Sequence, residues 1–101
     1  MKSGYNIKWT DHALEELQET YAYLEEQWSS KELRSLSMSI EHKIKLISQN
    51  PYLFQAADKE TNLRRAVVAR LHSIYYRVKE NDVEILSFFA NRKTPAERKF
   101  I

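Results

Sequence analysis

The sequence predicts an α+β domain in the order β-α-α-β-β-β, with a helical hairpin packed on a largely antiparallel four-stranded sheet. Three observations predict it. Two consecutive segments carry apolar residues at helical spacing and are separated only by Ser29-Ser30. From Leu63 to Lys93, apolar and aromatic residues alternate or run together, interrupted once at Glu80-Asn81-Asp82, the pattern of strands joined by a tight turn. A five-residue stretch of period two precedes the helices. A short link between two amphipathic helices makes them antiparallel neighbours, and their shared apolar side must be buried on the sheet.

Tyr5-Asn6-Ile7-Lys8-Trp9 alternates, which places Tyr5, Ile7 and Trp9 on one face of a strand. Thr10 offers an N-cap hydroxyl, and Asp11 suits the first turn of the helix that follows. Ala13, Leu14, Leu17, Tyr21, Leu24 and Trp28 form its apolar stripe. The serine pair breaks the helix and caps the next, in which Leu33, Leu36, Ile40, Ile44 and Ile47 make a second stripe. Pro51 ends it, because the residue before proline is pushed out of the α region. Residues 51–62 read as a loop: Tyr52, Leu53 and Phe54 pin it to the core, and the remainder is polar. Strands are predicted near Arg65–Arg70, Ser73–Lys79 and Val83–Phe89. In the middle one Ile74, Tyr76 and Val78 oppose Ser73, Tyr75, Arg77 and Lys79. The last is apolar on both faces, which predicts a central strand covered on both sides.

A chain of 101 residues with 43% hydrophobic and 30% charged residues is read as one globular domain over residues 1–101. No apolar run approaches the roughly 20 residues that span a bilayer, and Met1 to Tyr5 lacks a signal-peptide core. The absence of cysteine excludes thiolate chemistry and suits a cytoplasmic protein. The net charge of +2 hides an asymmetry. Asp11, Glu15, Glu16, Glu19, Glu25 and Glu26 crowd the first helix region without a Lys or Arg, whereas bases outnumber acids from Arg64 onward. The basic half suits an anionic partner.

No cofactor or metal is expected. His12, His42 and His72 are scattered without ligand spacing, and a chain with one glycine has no phosphate-cradling loop. What remains is a cluster of Arg65, Arg70, Arg77 and Arg92 with Tyr75 and Tyr76. Guanidinium forks pair with phosphate oxygens, and aromatic rings stack on bases. The same residues also read as the ordinary solvated face of a sheet with half-buried tyrosines, and the residues alone favour that reading.

Several stretches carry a likeness. Tyr5-Asn6-Ile7-Lys8-Trp9-Thr10-Asp11-His12-Ala13-Leu14-Glu15-Glu16-Leu17 resembles the opening of the RelE/ParE toxins of bacterial type II toxin–antitoxin systems. Leu63-Arg64-Arg65-Ala66-Val67-Val68 and Ser73-Ile74-Tyr75-Tyr76-Arg77-Val78 resemble that superfamily's middle strands. Val83 to Pro95 resembles its last strand and the Arg-containing segment after it.

The resemblance implies a cytoplasmic toxin held inactive by a cognate antitoxin, with a toxin–antitoxin hetero-oligomer as the assembly. It implies one of two activities. RelE-like members cleave mRNA on the ribosome with basic residues and a C-terminal Tyr or His; ParE-like members lack that set and poison DNA gyrase. Here Ala90-Asn91-Arg92 stands where the catalytic Tyr or His belongs, and Asn cannot carry a proton near neutral pH. The ParE-like branch is therefore favoured, with Arg65, Arg70, Tyr75, Tyr76, Arg77, Asn91, Arg92 and Lys93 as partner- or target-binding residues. A RelE-like endoribonuclease using Arg65, Arg70, Arg77 and Arg92 is the alternative, and a domain that keeps only antitoxin binding is the third reading.

Overall fold

In the computed structural model, which describes residues 4–58, 60–69 and 71–90, two helices lie on one face of a sheet. The order is β1 (Asn6–Trp9), α1 (Asp11–Leu24), α2 (Ser30–Gln49), a 3-10 turn (Pro51–Leu53), β2 (Ala56–Asp58), β3 (Leu63–Val68), β4 (His72–Lys79) and β5 (Asp82–Ala90). The described strands are ordered β1-β5-β4-β3-β2 across the sheet. β1 runs parallel to β5, and every other pairing is antiparallel.

Local chemistry starts each helix where it starts. Thr10 is extended, and its hydroxyl accepts from the Ala13 N–H at 3.2 Å. The same hydroxyl donates to the Ile85 carbonyl at 2.8 Å, so the cap also fixes α1 to the sheet. Ser29 opens α2 with a capping box: its hydroxyl accepts from the Glu32 N–H at 3.2 Å, and its own N–H donates to the Glu32 carboxylate at 2.9 Å. A hydrogen bond of 2.6 Å between the Tyr21 and Ser37 hydroxyls joins the two helices.

The entry into β1 needs the chain's one glycine. Gly4 has φ +104°, and a Cβ there would meet Ser48 Oγ at 3.0 Å. The close approach lets the Tyr5 N–H donate to the Ser48 carbonyl at 2.7 Å while Ser48 Oγ donates to the Tyr5 carbonyl at 2.8 Å.

Ala66, Val68, Ile74, Tyr76, Val83, Ile85 and Phe88 form the sheet side of the core, against Ala13, Leu24, Leu36, Ile40 and Ile47 from the helices. The side-chain alternation of β4 follows the predicted faces, with Ile74 and Tyr76 fully buried. A register shift at Tyr75/Tyr76 bulges β5, so that Ile85 and Phe88, three residues apart, both face the core.

Among the described residues the sheet has five strands where four were predicted. β2 lies in the segment read as a polar loop; its exposed edge position removed the apolar signal, while its backbone pairs Ala56 with Arg64 of β3. Four further details differ. Trp28 sits in the connection after α1 rather than on the helix, half-buried against the core. Of the serine pair, Ser29 is the cap of α2 and Ser30 its first residue. Tyr52 and Leu53 are 52% and 59% exposed; Pro51 and Phe54 are the residues that reach inward. Among the described residues β5 is covered by helices on one face only, with Phe88 buried there and Phe89 38% exposed on the other side.

Among the described residues no helix is long and apolar enough to cross a membrane.

Candidate functional site

Strand alternation sends Leu63, Arg65 and Val67 of β3, Ser73, Tyr75, Arg77 and Lys79 of β4, and Glu84 and Phe89 of β5 away from the helices. The register stacks these into rows. Val67, Ser73 and Phe89 share one row, Arg65 and Tyr75 the next, and Leu63, Arg77 and Glu84 a third. The open face therefore has an apolar end, beside the β3–β4 turn, and a charged end, towards the β4–β5 turn.

Two arginines of the predicted cluster stand on this face in different states. Arg65 is exposed, and its Nε donates to Ser73 Oγ at 3.0 Å, holding the guanidinium against the fully buried serine. Arg77 donates through Nε to the Glu84 carboxylate across the strands at 2.8 Å. That pair neutralises Arg77 within the sheet, so its charge is already half spoken for before any partner arrives. Tyr75 lies between them, its ring tilted 49° to that of Phe89 with centroids 5.4 Å apart.

Tyr76 does not belong to the site. It is fully buried on the helix side, and its hydroxyl donates to the Pro51 carbonyl at 2.5 Å. Burial pushes its phenol up to about 12, with the nearby Arg64 cation pulling the other way. A one-residue step along a strand reverses the face, and two adjacent tyrosines cannot both point outward. Arg70, Asn91, Arg92 and Lys93 lie outside the described residues.

Arg64 has a different task. Its Nη1 donates to the Phe54 carbonyl at 2.7 Å and its Nη2 to Asn62 Oδ1 at 3.3 Å, and Cζ sits 4.8 Å from the Tyr52 ring centroid. It clamps the segment around the 3-10 turn to β3. His72 is 2% exposed on the core side and stacks nearly parallel on Phe88 with centroids 5.3 Å apart, which removes it as a general acid or base at the surface. His12 lies on α1, 3.4 Å from Glu16.

Sequence reasoning missed three participants of this face. Glu84 was available to it, since it follows from extending the alternation of β4 across the hairpin; Phe89 was not, because strict alternation pairs it with Ile85 and only the bulge opposite Tyr75/Tyr76 brings it to this face. Ser73 as the seat of Arg65 was not, because the contact depends on register.

The geometry defines a class: a small α+β domain whose helices cover one sheet face and whose other face carries no helix among the described residues, apolar at one end and charged at the other. The same fold occurs in a solved structure titled "Chromosomal ParDE TA system from P. aeruginosa", with a TM-score of 0.73 and 19% identity over 87% of this chain and 97% of that one. No curated protein matches the chain. Residues 7–95 match the model of the ParE toxin of the type II toxin–antitoxin system parDE, and the chain belongs to that family.

Proposed function

We propose that the chain is a toxin neutralised by a cognate antitoxin docked on the open sheet face, and that it acts by binding DNA gyrase without catalysing RNA cleavage. The observation that carries the second half is the fate of the proton carriers. His72 and Tyr76, two titratable side chains in and beside the predicted arginine cluster, are both in the core, and Tyr75, which stays on the open face between Arg65 and Arg77, is packed against Phe89. Arg65 and Arg77 can bind and stabilise negative charge, but 2′-hydroxyl attack also needs a group that takes and returns a proton. Family membership supports both the toxin role and the antitoxin partner. Arg65, Tyr75, Arg77 and Phe89 are the described residues assigned to partner contact, and Arg70, Asn91, Arg92 and Lys93 are assigned to it on sequence grounds.

The test uses purified chain in two assays. Gyrase supercoiling should be inhibited or cleaved DNA trapped, and addition of the antitoxin should relieve the effect. Ribosome-dependent mRNA cleavage with no effect on gyrase at high excess would overturn the reading.

A further inference from the structure

Acids and bases at the charged end of the open face are sorted by strand. Lys8 of β1 is exposed between Ile7 and Trp9, which pack on the core. It stands level with Glu84 of β5, and Glu84 stands level with Arg77 of β4. The next row towards the β4–β5 turn holds Asn6, Asp82 and Lys79 in the same strand order. Two carboxylates therefore run down the middle strand, with Arg77 and Lys79 on one side and Lys8 on the other. Neighbouring strands are about 4.8 Å apart, so an anion seated on any of these cations has a carboxylate of β5 for a neighbour.

Of the two acids, Glu84 lies nearer to Arg65 and Tyr75, whose row adjoins its own. Its bond to Arg77 runs through Nε at 2.8 Å. Both Nη groups of Arg77 are without a partner among the described residues, and they form the outer edge of the guanidinium fork. Lys8 makes no ion pair among the described residues. Asp82, by contrast, already accepts from Asn6 Nδ2 at 3.2 Å. The face can therefore take single anions, at the Nη edge of Arg77 and at Lys8, but not an unbroken line of them. A nucleic-acid strand carries a charge on every backbone unit, so a strand crossing Arg65 and Arg77 sets phosphates against Glu84. A polypeptide sets the charge of each side chain singly, so it can place a carboxylate on Arg77 and a neutral or basic side chain over Glu84.

We infer that Glu84 sets the specificity of the open face: it turns away single-stranded nucleic acid and admits an antitoxin segment that brings a carboxylate to the Nη edge of Arg77. Without Glu84, Arg65 and Arg77 would offer phosphate grips and Tyr75 a stacking ring, the components of a single-strand site. The inference rests on the antitoxin reading above and adds the chemistry by which that face chooses a polypeptide over a polyanion. Specificity is a difference between two affinities, and a like charge set against the wrong partner widens it.

The experiment uses the full chain, the antitoxin encoded beside it and a short fluorescent oligouridylate. Both affinities are measured at one salt concentration, and folding is checked by circular dichroism. Glu84→Gln keeps an acceptor for Arg77 Nε and removes the charge. It should raise the affinity for the oligouridylate, relative to that for the antitoxin, by roughly tenfold or more. It should also steepen the fall of RNA affinity with salt, because one more phosphate is neutralised. Glu84→Ala, which removes the hydrogen bond as well, should move the ratio in the same direction. A ratio within about twofold of wild type in both variants overturns the filter. So does the absence of RNA binding in all three proteins, since Glu84 is then not what excludes the strand. Arg77→Gln should weaken the antitoxin complex roughly tenfold, and an unchanged complex overturns the carboxylate contact. Tyr75→Ala and Phe89→Ser separate the two readings. If they weaken the complex while Arg77→Gln does not, the open-face reading stands and this inference falls; if all three leave it unchanged, the open face is not the antitoxin site.

Discussion

Glu16 is the side chain on which the joint between the helical layer and the sheet edge turns. β1 accompanies β5 only from Asp82 to Ile85, and from there α1 borders the strand. One carboxylate oxygen of Glu16 accepts from Ser87 Oγ at 2.7 Å and from the Phe88 N–H at 2.9 Å, standing in for the carbonyl that a neighbouring strand would supply. Glu16→Ala removes both acceptors. Phe88 is fully buried, so its N–H loses its partner in a place that water reaches poorly. Hydrogen bonds to a charged group contribute about 1.5–3 kcal/mol, and an orphaned buried donor costs about 1–3 kcal/mol. The better helix propensity of alanine returns a few tenths of a kcal/mol, and the contact of Glu16 with the exposed His12 contributes little. The expected loss is about 2 kcal/mol. At roughly 4–8 °C per kcal/mol for a domain near 100 residues, Tm falls by about 10 °C. Urea unfolding followed by circular dichroism measures it, with an unchanged m-value showing that stability alone has moved. Glu16→Gln, which keeps a neutral acceptor, should recover about half of the loss. A Glu16→Ala stability within about 0.5 kcal/mol of wild type would refute the role given to this carboxylate.

Two further outcomes follow from the geometry. Tyr76 ionises near 10 when unfolded and is pushed up to about 12 when folded, so the unfolded chain loses its proton first. Stability contributed by the neutral phenol is complete below pH 10 and falls between pH 10 and 12 by roughly 1.4 kcal/mol per pH unit; Tyr76→Phe should abolish that component, at a cost of about 1 kcal/mol near neutrality from the unpaired Pro51 carbonyl. The Arg77–Glu84 pair, with side chains 47% and 26% exposed, should show a coupling of only about 0.2–1 kcal/mol in a double-mutant cycle, and 1 M salt should reduce it.

Most of the architecture was legible because its signals are local. The stripes of α1 and α2, the caps, the stop before Pro51 and the alternation of β4 each depend on residues within a turn or two of one another. β2 was illegible for the converse reason. It is three residues long, lies at the exposed sheet edge and owes its form to the backbone of β3, which asks nothing of its side chains. The candidate site was half legible. Alternation alone separates Tyr75 from Tyr76, and the cluster of arginines and tyrosines was drawn too widely when both were included.

Residue patterns alone yielded the helical hairpin, four of the five described strands in their order, the basic character of the C-terminal half and the resemblance that family membership bears out. What each charged side chain does depends on the folded arrangement. Glu16 meets β5 across 71 and 72 positions of chain, Arg64 is spent on the segment around the 3-10 turn, Arg77 is matched by Glu84, and Arg65 rests on Ser73 at the open face. Composition counts these arginines as equals. The difference among them is set by strand register and by the distance over which a hydrogen bond acts, about 3 Å, a scale to which neighbours in sequence are no guide.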